Sequence, residues 1–240
     1  MKIVKPKEDG AKYWCRKGFY SINLQAICDH KRKFTWFSAA YCGSTHDSVA
    51  FAQSRLGEIL SNPQHPIQKT GFWIAGDDAY KGNASQCNCL LTPWPSQPGG
   101  IGPWEDSFNA HQSSCRIEIE CAFGALVKRW AILQKPLCVS PNHATLLLET
   151  LLHLHNVCTE ARIKDACGRA RDGMHADYRG PEEDWPDIDV DSAFLTGAIP
   201  EAPGGGTNQP LRDALTSTLQ QHNKLRPPRM RYRGYRRIDG

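Results

Sequence analysis

The chain has 240 residues, 40% of them hydrophobic, a formal net charge of +4 and ten cysteines. That length supports one sizeable core with room for a tail, and the lack of any run of about 18 apolar residues argues against a membrane-spanning helix and a membrane partner. The opening MKIVKPKEDG lacks the apolar stretch of a secretory signal, so the irregularly spaced cysteines are read as reduced intracellular thiols.

Residues 19–28, FYSINLQAIC, alternate and stop at Asp29, which predicts a strand. FTWFSAAYC (34–42) predicts a second, with HKRK as the polar connection of a hairpin. THDSVAFAQSRLGEIL (45–60) spaces its apolar residues for a helix, with Thr45 or Asp47 as N-cap. GFWIAG (71–76) and CLLTPW (89–94) predict two short strands. A Pro/Gly-rich crossing then leads to long helical patterns over 106–133 and 142–163. A hairpin, a helix, two strands and then helices describe an α/β fold with a mixed sheet. Residues 1–165 read as the folded domain and 166–240 as a polar tail. In the tail, DGMHADYRGPEEDWPDIDVD is acidic, PEAPGGGTNQP is linker-like and KLRPPRMRYRGYRRI is a basic arm. The tail is expected to be poorly ordered except for a short helix at 211–220.

Chemistry gathers where strands end. WIAGDDAYKGN sets Asp77 and Asp78 directly after an apolar run and a turn-forming Gly76. In open α/β sheets ligands collect at the C-terminal edge, and carboxylates there suit Mg²⁺, a hard ion that takes oxygen ligands. Two such ions about 3.5–4 Å apart clamp both oxygens of a phosphodiester displacement. The same acids also serve as a turn cap and its solvated neighbour. In FNAHQSSCRIEIECAFGALVKRW (108–130), Ile119, Ala122, Phe123, Leu126 and Trp130 share one helical face. Arg116 and Glu120 lie one turn apart at one edge of that face and Glu118 at the other. Periodicity does not choose between the two glutamates, and Arg116 with Glu120 also fits an ordinary (i, i+4) ion pair.

GDDAY, LLTPW, FN…RIEIECAFGALVKRW and LHLHNVC in that order, preceded by YWCRKGFYSINLQAICD and GSTHDS, resemble the DDE superfamily endonuclease domain of PIF/Harbinger transposases and their domesticated nuclease relatives. The resemblance spans about residues 5–158. It implies an RNase H-like fold, divalent metal ions (Mg²⁺ or Mn²⁺), no small-molecule cofactor, DNA as substrate, a nuclear rather than cytoplasmic location and, for some relatives, a separate DNA-binding partner protein. Carried over by position, the family's second acid falls on Asp77 and its glutamate on Glu120, the catalytic and metal-ligating pair. Tyr80 and Asn156 fall on motif positions suited to packing or supporting hydrogen bonds, and Arg116 and His46 to support as well. The family's first acid, in an Asp-Gly-Thr strand, is not in this sequence, and Asp9-Gly10 lies in a connection that does not replace it. The resemblance therefore marks the chain as N-terminally shortened or as a decayed or domesticated relative, with cleavage activity in doubt. Asp47 in GSTHDS follows the third family strand at the same sheet edge as Asp77, which makes it a weaker metal candidate; it also suits a helix cap.

Other constellations are less specific. Cys87, Cys89, Cys115, Cys121 and His111 lack the spacing of a zinc site. His153 and His155, two apart on a helix, do not face one ion. Lys128 and Arg129 on the long helix, and Arg231, Arg233, Arg236 and Arg237 interleaved with tyrosines in the C-terminal arm, suit contacts to nucleic-acid phosphates and bases, or simply solvated charge. Two readings follow: a metal-dependent DNA endonuclease or transposase domain, and a catalytically dead remnant that binds DNA or a protein.

Overall fold

The computed structural model describes residues 1–65, 73–84, 87, 89–98, 100–171 and 210–226. Strands β1 (Ile22–Cys28) and β2 (Phe34–Cys42) pair antiparallel, with Ile22 opposite Cys42 and Ala26 opposite Phe37. Their turn is held by one side chain: the Asp29 carboxylate accepts from the backbone N–H of both Lys31 and Lys33 at 2.9 Å. Arg32 completes the turn at φ 64°. The N-terminal segment adds a stub on the other edge of β1. Ile22 N donates to Met1 O and Ile3 N to Tyr20 O, each at 2.9 Å. Ile3 also bridges Leu137 on its far side and is buried.

The expected single helix over 45–60 is two helices, α1 (Asp47–Ala52) and α2 (Arg55–Ser61). Ser54 makes the break. Its hydroxyl donates to Phe51 O at 2.7 Å, closing α1, and accepts from Gly57 N at 3.0 Å, capping α2. The cap of α1 is His46, whose ring accepts from Ser48 N, in place of Thr45 or Asp47. Strands β3 (Ile74–Ala75) and β4 (Leu90–Leu91) are shorter than their apolar runs and pair parallel. A four-residue helix, α3 (Lys81–Ala84), lies between them.

Helix α4 (Pro103–Arg129) begins with proline at its first position, where a missing N–H costs nothing, and carries Glu105 and Asp106 in its first turn. After a 3₁₀ turn at Ala131–Gln134, α5 runs over Pro141–Arg171. The main core joins these helices to the hairpin. Leu126, Leu148 and Leu152 are fully buried against Ile22, Phe34 and Ala39. Asn156 fastens α5 to β2 by accepting from Phe34 N at 2.7 Å and donating to Phe34 O at 2.8 Å. Phe51, Leu60, Ala84, Cys87, Cys89 and Leu90 form a second cluster around β3 and β4.

This is a mixed α/β, RNase H-like architecture with flanking helices, but β1–β2 and β3–β4 stand as separate two-stranded sheets rather than one. Among the described residues no helix is long and apolar enough to cross a membrane. Within the tail, a helix at Pro210–Gln221, α6, occupies the expected place. It packs back on α4: the Trp94 indole donates to Thr216 Oγ1 at 3.1 Å, Arg212 stacks 4.0 Å over the Trp94 ring, and Arg226 reaches both Asp106 carboxylate oxygens at 3.1 and 3.2 Å. The acidic and linker-like stretches of the tail and most of the basic arm lie outside the described residues.

Candidate active site at the strand ends

Asp77 follows β3 by two residues. Its Oδ1 accepts from Ala79 N at 2.9 Å and so caps the 3₁₀ turn Asp78–Tyr80. That bond occupies one oxygen and leaves the carboxylate half-buried at the sheet edge. Asp78 is exposed and paired with Lys81. The cap and the solvated neighbour of the residue-level reading are therefore both present, and the cap does not consume the Asp77 charge.

The turn swings Tyr80 back over Phe51 of α1, ring edge to face at 5.6 Å. Burial raises the pKa of the Tyr80 phenol, and the negative charges of Asp47 and Asp77 raise it further. Helix α1, which follows β2, packs against this turn, so the residues that follow β2 and β3 lie side by side. Asp47 is fixed there by two side chains of β1: Asn23 Nδ2 donates to Asp47 Oδ1 at 2.7 Å and Gln25 Nε2 to its carbonyl at 2.6 Å. His46 points its Nδ1 at Ser48 and stays exposed.

Helix α4 crosses the same edge through Gln112, which is buried and donates to Gly76 O at 2.5 Å and Leu91 O at 3.2 Å, the carbonyls at the ends of β3 and β4. No sequence pattern singles out this glutamine; a lone amide on a helical face carries no periodic signal. Glu120 lies eight residues further on, about 12 Å along the axis at 1.5 Å per residue. It is exposed. Glu118 turns the other way, to the hairpin, and pairs with Arg32 at 2.8 Å. No ion pair joins Arg116 to Glu120 among the described residues; Arg116 instead lines a cavity beside β1 and β3. The structure thus gathers Asp47, Asp77, Tyr80 and Gln112 near one edge and leaves Glu120 further along α4.

The donors at this edge are oxygens, as a hard divalent ion requires. Two carboxylates supplemented by water meet the usual protein share for Mg²⁺, and Gln112 Oε1 is buried with no hydrogen-bond partner among the described residues. No group of three His, Cys, Asp or Glu side chains there is arranged to hold a metal, so the residues fit a weak site rich in water. Nor does the cysteine and histidine constellation form a centre; Cys87 and Cys89 lie with their sulfurs 3.5 Å apart inside the second core cluster.

Of the basic candidates, Lys128 is exposed, whereas Arg129 turns inward onto His155, with Nη1 3.3 Å from both Nδ1 and the carbonyl. His153 and His155 stack on different rings, Phe37 and Phe34. Arg231, Arg233, Arg236 and Arg237 lie outside the described residues. A family profile described as DDE superfamily endonuclease matches residues 1–156. No curated protein and no solved structure was found to match the chain.

Proposed function

The chain belongs to the DDE superfamily endonucleases, and from that premise we propose that it is a transposase-derived domain of the Harbinger type whose Asp77 binds a divalent metal ion for phosphodiester chemistry on DNA. The observation that supports this reading is the packing of α1, which begins at Asp47, against the Asp78–Tyr80 turn that Asp77 caps, with Phe51 on Tyr80. Asp77 holds charge at a strand end while its cap bond fixes its direction. Asn23 and Gln25 hold Asp47 against drift. Bound there, Mg²⁺ or Mn²⁺ would activate water and neutralise charge developing on the scissile phosphate. Glu120 enters by its family position as a further ligand, Arg116 and His46 as supporting groups, and exposed Lys128 with the arginines of the basic arm as phosphate contacts. DNA is the substrate, and a nuclear location and a separate DNA-binding partner belong to the same proposal.

A second reading, a catalytically silent remnant that keeps the fold to bind DNA or a protein, is favoured by one observation: Glu120 is exposed and about 12 Å along α4 from the residue that touches Gly76. Metal binding by this chain's own residues is the primary readout. Mn²⁺ titration followed by paramagnetic broadening should show weak binding. Asp77→Asn should abolish it, and Asp47→Asn and Glu120→Gln should each weaken it. Mn²⁺ affinity unchanged in Asp77→Asn would overturn the proposal.

A further inference from the structure

A short hairpin leads into β1. Trp14 and Tyr20 bridge antiparallel, and Cys15 N donates to Phe19 O at 2.9 Å. The turn closes where Gly18 N donates to Cys15 O at 3.0 Å, with Gly18 at φ 81°, a conformation that favours glycine. Arg16 and Lys17 therefore form the tip, and both are exposed.

The base of the hairpin is fastened to the segment that carries Asp47. Ser21 N donates to Tyr13 O at 2.8 Å, Gly43 N donates to Ser21 O at 2.7 Å, and Ser44 N donates to Lys12 O at 3.3 Å. A Cβ on residue 43 would stand 2.6 Å from Ser21 O, so the two backbones meet because that residue is glycine. Asp47 follows three residues after Ser44, and Asn23 of β1 holds this stretch by donating to Thr45 O at 3.0 Å and to Asp47 Oδ1 at 2.7 Å. The hairpin and Asp47 are thus fixed to one end of the β1–β2 pair.

The hairpin's surface pairs an open aromatic ring with positive charge. Trp14 is 49% exposed, although tryptophan is mostly buried in folded chains. Tyr20 braces it edge to face, with ring centroids 4.9 Å apart. Lys2 lies 4.6 Å over the Phe19 ring. Between Lys2 and Lys17 the sequence has six bases and two acids. Lys12 pairs with Asp9 at 2.6 Å, while Lys2, Lys5, Lys7, Arg16 and Lys17 are exposed. Cations beside a braced, open indole suit a ligand with regularly spaced negative charge and flat apolar faces. An acidic peptide supplies the charge without the faces, and a duplex keeps its base faces stacked inside. An unpaired nucleic-acid strand supplies both.

We infer that the 14–20 hairpin binds unpaired DNA next to the strand-end site. Trp14 stacks on one base, and Arg16 and Lys17 meet the adjoining phosphates. The hairpin thereby holds a strand that passes the edge where Asp47 and Asp77 lie. The choice of DNA as the strand rests on the nuclease reading; the stacking site itself rests on the hairpin.

The probe is octathymidylate, added without metal to the isotope-labelled 240-residue chain. The Trp14 indole N–H resonance, identified by its loss in Trp14→Phe, should shift saturably, as should the amides of Arg16, Lys17 and Gly18. These resonances read the hairpin alone, whatever other surfaces contact the strand. An abasic octamer, which keeps the phosphates and lacks the bases, should need roughly tenfold more to reach half-shift, because the stacked base is lost. In Trp14→Ala the tip amides should need roughly tenfold more octathymidylate, yet respond to the abasic octamer as the wild type does, which a misfolded hairpin would not. Arg16→Gln combined with Lys17→Gln should weaken both probes and lower the salt slope by about 1.4. Unmoved resonances at millimolar octathymidylate, equal midpoints for the two octamers, or tighter binding of a blunt duplex at this hairpin would each overturn the proposal. Mn²⁺ binding is read at Asp77. A silent hairpin with Mn²⁺ binding intact sinks this proposal alone, and the reverse sinks the nuclease reading alone.

Discussion

Asp77 caps the turn after β3, and substitution can separate that task from the metal binding proposed for it. Asparagine caps helical turns about as well as aspartate, whereas alanine costs about 1 kcal/mol. Asp77→Asn is therefore expected to melt with the wild type and lose Mn²⁺ binding, while Asp77→Ala loses binding and about 1 kcal/mol of stability; urea unfolding of the two variants side by side checks this. His155 sets a second expectation at the same scale. A carbonyl only accepts and a guanidinium only donates, so Nε2 carries the proton toward Arg32 O at 3.0 Å and Nδ1 receives Arg129. Burial depresses its pKa, and the charges of Arg129 and Arg162 press the same way against the Arg32 carbonyl. The folded histidine thus stays neutral below the unfolded value of about 6.5. As pH falls through that value the unfolded chain takes up a proton that the native state does not, and stability drops. Urea midpoints at pH 7.5 and 5.5 should differ for the wild type and differ less for His155→Gln. Half-buried His111 shifts the same way and leaves a residual slope.

At the level of elements, legibility followed periodicity. β1, β2 and α4 each carry enough alternating or helical repeats to be placed within a few residues of their expected positions, whereas α5 starts where expected and runs on to Arg171, past its expected end at 163. The start of α4 was in fact written more sharply than its apolar spacing suggested, in Gly102-Pro103. The break inside 45–60 was hidden because Ser54 and Gly57 look like ordinary polar interruptions until their contacts are known. A Cβ on Gly57 would stand 2.1 Å from Phe51 O. Gly57→Ala is therefore expected to destabilise the chain by roughly 1–3 kcal/mol, as overpacking does, despite alanine's better helix propensity; a drop in the urea midpoint checks it. β3 and β4 shrank because strand length depends on a partner, and apolar runs do not reveal who the partner is. Asp77 was legible through its motif, Glu118 against Glu120 was not legible from spacing, and Gln112 carried no signal of any kind.

Across the whole molecule, the helix near the far end of the chain belongs to the folded body. α6 covers Trp94 and the first half of α4 through a hydrogen bond, a cation–π stack and the Arg226–Asp106 pair. Stacking of this kind, partly shielded from water, contributes about 1–2 kcal/mol, whereas the half-exposed Arg226 pair adds less than about 1 kcal/mol. A chain ending before Pro210 is expected to melt at least roughly 2–4 °C lower for each kcal/mol lost at this size. Arg226→Ala should shift the melt far less. Differential scanning calorimetry of the two distinguishes a docked helix from a passive one.

The same docking turns the intervening residues 172–209 into a bridge with both abutments fixed. α5 is anchored at one side by Leu148, Leu152 and Thr159, and α6 at the other by Trp94 and α4. Cutting the bridge should not release either piece at high protein concentration: there the two fragments should travel together on gel filtration. Because the bridge also keeps α6 at high effective concentration beside its seat, the cut pair should fall apart on dilution while the intact chain does not. A protease site inserted between 172 and 209, cleaved and then run at falling protein concentrations, would measure how much of the attachment is surface and how much is tether.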